Sequence, residues 1–319
     1  MRHNRVMHLV IPCATAPGPQ CQATLERLEL PQLRTLLRVL PPANALYGED
    51  EDLSPLHERV LSHDAFADGL IPWAAMRAAN LPLFKPSAAY GLVNPCHLTV
   101  HADHIAMQDP ARLGLMEAES RALLMAMQPY FLEDGLTLHW LQTDTWLVEG
   151  EALRGLATAS LERVRGQPVD RWMPRQDAAK LVRRLQNEMQ MLLYTHPIND
   201  ARVARGAPMV NSFWLSGTGD LPPNPVPLLQ ATVLNALAAP ALRDDALAWA
   251  QAWQAVDAGP LAELAAALKN NQTPGAAPIA VTLCGSHRAQ TWRQQPRSLW
   301  RRLTGVFDAT RPATILKTL

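Results

Sequence analysis

Short apolar runs, bounded by prolines, glycines and polar clusters, set the rhythm of this chain. Val6 to Ile11 is apolar except at His8 and stops at Pro12, which predicts a buried first strand. Helical patterning follows over Leu30–Leu40, Ser54–Ser62 and Pro72–Ala79, with Ser54 placed to cap the second and Pro55 at its first helical position. Cys96–His101 has strand character, and Glu117–Gln128 predicts a helix ended by Pro129. Leu136–Leu141 and Thr145–Val148 predict a hairpin across Gln142-Thr143-Asp144. A long helix is expected from Asp177 to about Tyr194, then a buried strand Val210–Leu215 running into Ser216-Gly217-Thr218-Gly219. Leu228–Lys269 is Ala/Leu-rich and helical, broken near Pro240 and Gly259; Ile279–Cys284 is the last expected strand and Pro296–Leu303 the last helix. Strands alternating with helices, without an internal repeat, predict an α/β fold with a parallel or mixed sheet.

Composition supports a sizeable core: 48% of the 319 residues are hydrophobic and 18% charged, the reverse of a disordered chain. The 27 prolines are scattered and mark turns, not one stiff linker. Lys plus Arg and Asp plus Glu are both 29, which excludes a uniformly basic nucleic-acid binder. The neutrality is a cancellation between halves: residues 1–160 carry net −7 and residues 161–319 net +7. Residues 285–319 alone carry Arg288, Arg293, Arg297, Arg301, Arg302, Arg311 and Lys317 against Asp308, with Trp292 and Trp300 interleaved. Basic plus aromatic side chains suit RNA, single-stranded DNA or an acidic protein face, so this stretch is a candidate partner surface. The acidic run Glu49-Asp50-Glu51-Asp52 reads as a solvated loop. Cys13, Cys21, Cys96 and Cys284 show no paired spacing, so four reduced thiols in a cytoplasmic protein are expected. The apolar run after Arg2 and Arg5 is too short for a signal segment or a span, so no membrane role is expected.

Three clusters have chemical potential. His97, His101 and Asp103 would share one face of a strand over Cys96–Ile105, with His104 on the other, and could ligate zinc; without a helix-spaced partner cluster they read better as a polar face. Ser216-Gly217-Thr218-Gly219-Asp220 could let the backbone approach a phosphate, although as a lone Gly-x-Gly it reads better as a plain strand-end turn. His196-Pro-Ile-Asn199-Asp-Ala-Arg202 could position an anion with Arg202 as a fork, or could tie a helix end to the next strand. No GxSxG elbow supports a hydrolase triad.

The order of these motifs is similar to that of the archaeal-type cofactor-independent phosphoglycerate mutases of the alkaline phosphatase superfamily. The resemblance runs through Cys96-His-Leu-Thr-Val, Asp109-Pro-Ala-Arg-Leu-Gly, the helix from Glu117, the hairpin to Trp146, His196-Pro-Ile-Asn-Asp-Ala-Arg202 and Val210-Asn-Ser-Phe-Trp-Leu-Ser-Gly217. Ala157-Thr-Ala-Ser-Leu-Glu-Arg-Val and Gln186-Asn-Glu-Met-Gln-Met-Leu-Leu-Tyr194 resemble bacterial proteins labelled phosphoglycerate mutase or regulatory protein RpfE. The resemblance implies a reduced alkaline-phosphatase-like α/β core, residues 1–95 and 205–319, with an inserted smaller α+β domain at 96–204. A true mutase would need two divalent metals, a serine nucleophile and several Asp and His ligands, the first in an Asp-Gly turn after the first strand. Here Pro12-Cys13-Ala14 follows that strand, Ser54 has unmatched neighbours, and Ile279-Ala-Val-Thr-Leu-Cys-Gly-Ser-His287 keeps only His287 of a ligand-bearing strand end. The expectation is therefore a protein without the metal site or a cofactor, with a regulatory or binding role. The alternatives are an enzyme with a rewired site for a phosphorylated or anionic small molecule, and partner or nucleic-acid binding through residues 285–319. Candidate ligand-binding residues are His196, Asn199, Arg202, Asn211, Ser216, Gly217 and His287.

Overall fold

The structure, a computed structural model, describes residues 7–174, 179–270, 278–295 and 311–319. In chain order the elements are β1 (Met7–Ile11), α1 (Pro19–Thr24), α2 (Pro31–Val39), β2 (Pro42–Tyr47), α3 (Leu56–Leu61) and α4 (Trp73–Ala78). Then come β3 (Tyr90–Cys96), β4 (Leu98–Val100), β5 (Ile105–Met107), α5 (Glu117–Glu133), β6 (Thr137–Gln142) and β7 (Thr145–Glu149). The chain continues with α6 (Leu161–Val164), α7 (Ala179–Tyr194), α8 (Pro197–Ala204), β8 (Ser212–Gly219) and β9 (Thr232–Val233). It ends with α9 (Ala238–Leu242), α10 (Ala246–Val256), α11 (Ala262–Asn270), β10 (Ile279–Cys284), β11 (Arg288–Arg293) and α12 (Pro312–Leu316). The described residues form a mixed α/β fold with three sheets. Among the described residues no helix is long and apolar enough to cross a membrane.

Two compact units result. The first comprises the described residues of Met1–Glu51, Leu56–Asp64 and Leu228–Leu319, and the second Asp52–Pro55 and Ala65–Pro227. The first is built on a sheet of order β2-β11-β10-β1-β9, with β1 parallel to β10 and β9, and β11 antiparallel to β10 and β2. Ile11, Ile279, Val281, Leu283 and Trp292 gather in one core with Leu33 and Leu36 of α2 and Trp249 and Trp253 of α10. The two tryptophans meet edge to face at 6.4 Å, as their i, i+4 spacing predicts. Two carboxylates cap helices from far along the chain: Asp244 accepts from the amides of Gln20 and Cys21, and Asp257 from those of Gln32 and Leu33. Asp257 opens a π-helical turn, Asp257–Leu261, that carries the chain through Pro260 into α11.

The second unit has an antiparallel sheet of order β6-β7-β3-β8 and a small β4-β5 ribbon. Leu123, Met127 and Phe131 of α5 and Val182, Leu185 and Met189 of α7 pack with Val93, Trp146, Val148 and Phe213 of the sheet. Ala74, Ala75 and Ala78 of α4 gather with Tyr90 and Leu147.

Several elements differ from expectation. Pro129 does not end α5: it sits on an exposed position of the helix, where the carbonyl it leaves unpaired can meet water, and the helix runs on to Glu133. The Ser54 hydroxyl, just before α3, accepts from Gly69 N–H, while Asp68 takes the amides of Leu53 and Ser54. The strand over Cys96–His101 breaks at His97 into β3 and β4, so His97, His101 and Asp103 share no strand face. Ile279–Cys284 is not the last strand, since β11 follows it, and β2 also went unpredicted. The expected helix Pro296–Leu303 lies outside the described residues. The units also divide elsewhere than at 95/96 and 204/205. β3 pairs with β8 from Tyr90 opposite Gly219 to Cys96 opposite Ser212, and that ladder keeps both sides of each expected boundary in one unit.

Candidate functional site

The His196–Arg202 segment forms the first turns of α8. The His196 imidazole accepts from Ile198 N–H at 3.3 Å, an N-cap contact, with Pro197 at the first helical position. Asn199 is buried; its amide donates to the carbonyls of Leu193 and Val210, both at 2.7 Å, and its oxygen accepts from Val210 N–H at 2.9 Å. One side chain thus staples the end of α7 to the approach to β8. Arg202 is 0% exposed. Its guanidinium donates to Glu119 at 2.6 Å, to the Pro208 carbonyl at 2.8 Å and to the Leu113 carbonyl. Glu119 accepts Arg205 at 2.5 and 3.0 Å as well, and reaches back to Met116 N–H at 3.1 Å. Burial works to raise the Glu119 carboxyl, but the two guanidiniums and the amide outweigh it and hold it below its ordinary range. Asn211 pairs with the backbone of Leu98 in both directions, at 2.7 and 2.8 Å.

Asn199, Arg202 and Asn211 therefore form a clasp, with their polar groups turned inward. The anion fork expected of Arg202 is used on Glu119 and two carbonyls. Glu119, at the third position of α5, is the residue that sequence reading missed. Its one local signal is the acidic residue at a helix start, which predicts a cap and not a partner 83 residues away.

Ser216 and Gly217 are not in a loop. They lie within β8, with Ser216 opposite Leu92 of β3, and every residue of β8 is buried. Gly217 has φ +59°, and a Cβ there would come 2.9 Å from Trp73 Cβ, so glycine serves close packing against α4. Thr218 hydrogen-bonds Thr158 at 3.0 Å and donates to the Leu156 carbonyl. An anion-binding loop is thereby replaced by a sealed strand. A void of about 10 Å³ beneath α5 and α7, lined by Phe131, Leu136, Leu185 and Phe213 among others, has room for about one water and nothing polar to hold it.

His287 belongs to the first unit, apart from the other six candidates in the chain's division. It follows β10, near the carboxyl ends of β1 and β10, where open α/β sheets place their ligands. Cys13, just after β1, adopts φ +53°; its carbonyl accepts Trp249 Nε1 at 3.2 Å, and Ala14 N–H donates to the Cys284 carbonyl at 2.9 Å. Ala14 and Ala16 are buried. The His287 ring is exposed, with Nε2 4.0 Å from Asp50, while its amide donates to the Leu319 carbonyl at 3.1 Å. A pair of hard divalent ions needs several carboxylate oxygens. The turns after β1 and β10 offer a thiol, carbonyls and one imidazole, and although Asp50 lies beside Glu49 and Glu51 in the acidic run after β2, no three such side chains among the described residues are arranged around a metal ion.

Several other histidines and basic residues among those described make individual contacts. His97 Nδ1 bonds the Met209 carbonyl at 2.8 Å, the rings of His101 and His104 stack at 4.6 Å, and His104 meets Asp103 at 2.7 Å. Among the described residues no group of three His, Cys, Asp or Glu side chains is arranged to hold a metal ion. His8 is 2% exposed in β1, its Nε2 bonded to Thr282 Oγ1 at 2.7 Å, and Thr282 in turn to Thr291 at 2.7 Å. Burial, with Arg293 and His63 nearby, pushes the His8 imidazole down to about 4. Of the basic stretch, Arg288 lies over the Tyr47 ring and Lys317 pairs with Glu26, while Arg297, Trp300, Arg301, Arg302 and Asp308 lie outside the described residues.

No known sequence family matches the chain, and no curated protein does. Among solved structures it is similar to the PH0037 protein of Pyrococcus horikoshii, at 11% identity and TM-score 0.46, over 91% of this chain and 87% of that one. It is also similar to a cofactor-independent phosphoglycerate mutase from Thermoplasma acidophilum, at 15% identity and TM-score 0.37, over 97% and 95% of the two chains. Likenesses of this strength assign no chemistry.

Proposed function

We propose that this chain is a phosphoglycerate-mutase-like protein, with a reduced alkaline-phosphatase-type core and an inserted domain, that acts in the cytoplasm by binding and not by two-metal phosphoryl transfer. The turn after β1 carries the reading. Where the sequence resemblance implies an Asp-Gly metal ligand, the chain has Pro12-Cys13-Ala14, and Trp249 and the buried Ala14 and Ala16 build that turn into the core. A thiol is a soft ligand and does not replace a carboxylate for Mg²⁺ or Mn²⁺. The clasp around Arg202 supports the same reading, because its cation is neutralised by Glu119 inside the fold.

The test is direct. Protein purified without chelator is analysed for bound metals and assayed for interconversion of 3- and 2-phosphoglycerate with Mg²⁺, Mn²⁺ or Co²⁺ added. The expected result is no stoichiometric divalent metal and no interconversion. Chelator-sensitive interconversion, lost on substitution of Asp50 or His287, would overturn the proposal.

A further inference from the structure

One face of the first unit's sheet packs on α2 and α10 through Ile11, Val281 and Trp292. The opposite face sets Val10, Cys284 and Ala289 against Leu56 of α3. At the start of β1 this second face turns basic. His8 is in register with Ala280, and Ala280 with Arg293, so the three stand side by side. Ala280 is the small member of the row: His8 and Arg293 are two strand spacings apart, about 10 Å, with a methyl group between them. His63 lies in the turn that ends α3, at φ +56°, close enough for its charge to act on the His8 ring. The His8 Nε2 is bonded to Thr282, but its Nδ1 is buried without a hydrogen-bond partner. A buried polar atom left in that way marks a missing partner. The His63 ring and the Arg293 guanidinium are exposed, and neither has a hydrogen-bond or ion-pair partner among the described residues. No acid balances them: β9 and β10 carry no charged side chain, Asp64 is held by Arg59 at 2.8 Å, and the charges that act on His8 among the described residues are both cations.

We propose that His8, His63 and Arg293 form a binding site for a phosphate group over Ala280. With the Thr282 hydroxyl donating to Nε2, the neutral His8 ring carries its proton on Nδ1 and offers it to an anionic oxygen. Arg293 adds a two-pronged guanidinium and His63 a second ring N–H, each from a different element. The burial that keeps His8 neutral is compatible with this role, because a neutral N–H still donates. A metal ion is disfavoured by the Arg293 charge. The inference goes beyond the function proposed above and stands independently of it: the site lies at the start of β1, at the other end of the strand from the turn where a metal ligand was expected.

The experiment uses the full chain labelled with ¹⁵N, with the histidine ring nitrogens followed by NMR while inorganic phosphate is added at constant ionic strength. The His8 ring should be the Nδ1–H tautomer, should shift saturably, and should protonate at a higher pH when phosphate is bound, since the anion favours the imidazolium. Arg293→Gln should weaken binding about tenfold or more, by loss of a charge-assisted hydrogen bond. His63→Asn, which tolerates the left-handed turn, should weaken it about threefold or more. Both residues are exposed, so these variants test the site without disturbing the core. A parallel titration with glycerol 3-phosphate separates an esterified phosphate from the free ion, according to which binds tighter. A His8 ring that phosphate leaves unshifted overturns the proposal, as does an equal response to acetate or chloride. An Nε2–H tautomer, which would turn a lone pair towards the anion, overturns it too, and so does wild-type affinity in both variants.

Discussion

Arg202→Ala is the sharpest probe of the inward-turned clasp. The substitution removes three donors at once: the 2.6 Å contact to Glu119, the 2.8 Å contact to the Pro208 carbonyl and the bond to the Leu113 carbonyl. Glu119 stays buried, with Arg205 as its remaining cation, and the Arg205 side chain is 36% exposed. Breaking a buried pair from one side costs about 3–5 kcal/mol, because the surviving charge is left poorly solvated. At a urea dependence of about 2 kcal/mol per molar, the midpoint of the second unit should fall by about 2 M. The two compact units can unfold in separate transitions. Hydrogen exchange at the amides of α8 and β8 therefore reads the second unit by itself. Pairing Arg202→Met with Glu119→Gln should recover part of the loss, with a coupling of about 1–3 kcal/mol, since no charge is then stranded. A midpoint of Arg202→Ala within about 0.3 M of wild type would refute the clasp and return Arg202 to the pool of ligand-binding residues.

Three further outcomes follow from the same kind of contact. Asn199→Ala strands Val210 N–H and two carbonyls, so it should cost about 2–4 kcal/mol and speed exchange of the Val210 amide; unchanged exchange would contradict its stapling role. Asp257→Ala removes the cap of α2 and should cost about 1–2 kcal/mol in thermal or denaturant unfolding, with Asp257→Asn, which keeps one acceptor, costing less. His8 is held neutral in the fold with its imidazole near 4, against 6.5 when unfolded, so the unfolded chain binds the extra proton. Its contribution is complete above about pH 6.5 and falls away towards pH 4, a loss of about 3 kcal/mol. Stability measured across pH 4–7 should flatten in His8→Leu, and an equally steep profile in that variant would discard the assignment.

The buried strands were legible because strands covered on both faces are written as near-continuous apolar runs, broken only by His8 in Met7–Ile11 and by Thr282 in Ile279–Cys284. β2 and β11 were not. Pro42-Ala-Asn-Ala-Leu-Tyr47 is an edge strand with mostly exposed residues, and its identity comes from its neighbour. Arg288-Ala-Gln-Thr-Trp-Arg293 hides polar side chains whose partners lie elsewhere: Gln290 reaches the Asn44 carbonyl and Thr291 reaches Thr282. Local pattern carries no trace of either partner. Pro129 misled for the opposite reason, since a strong local stop was overridden by a helix position that faces water.

The same distinction explains why the candidate site was half visible. His196-Pro-Ile-Asn-Asp-Ala-Arg202 reads from sequence either as an anion site or as a tie between a helix end and the next strand, since a cap, an amide and a guanidinium at that spacing fall on one short helix. Whether a guanidinium there faces a ligand or the core depends on one carboxylate, Glu119, which no spacing rule connects to it. A buried Arg–Glu pair is poor evidence for stability gained, because an apolar replacement of both often does as well. It is better evidence for register. Arg202 is tied to α5 and to the turns at Leu113 and Pro208, and Asn199 to Val210, so a shift of α8 along this face would break several buried hydrogen bonds at once. A motif that elsewhere could hold an anion can thus be kept for fold specificity alone. The variants that separate the two roles are those that remove Arg202 and Glu119 together: they should preserve folding and lose uniqueness of packing, seen as broadened exchange protection in β8, before they lose stability.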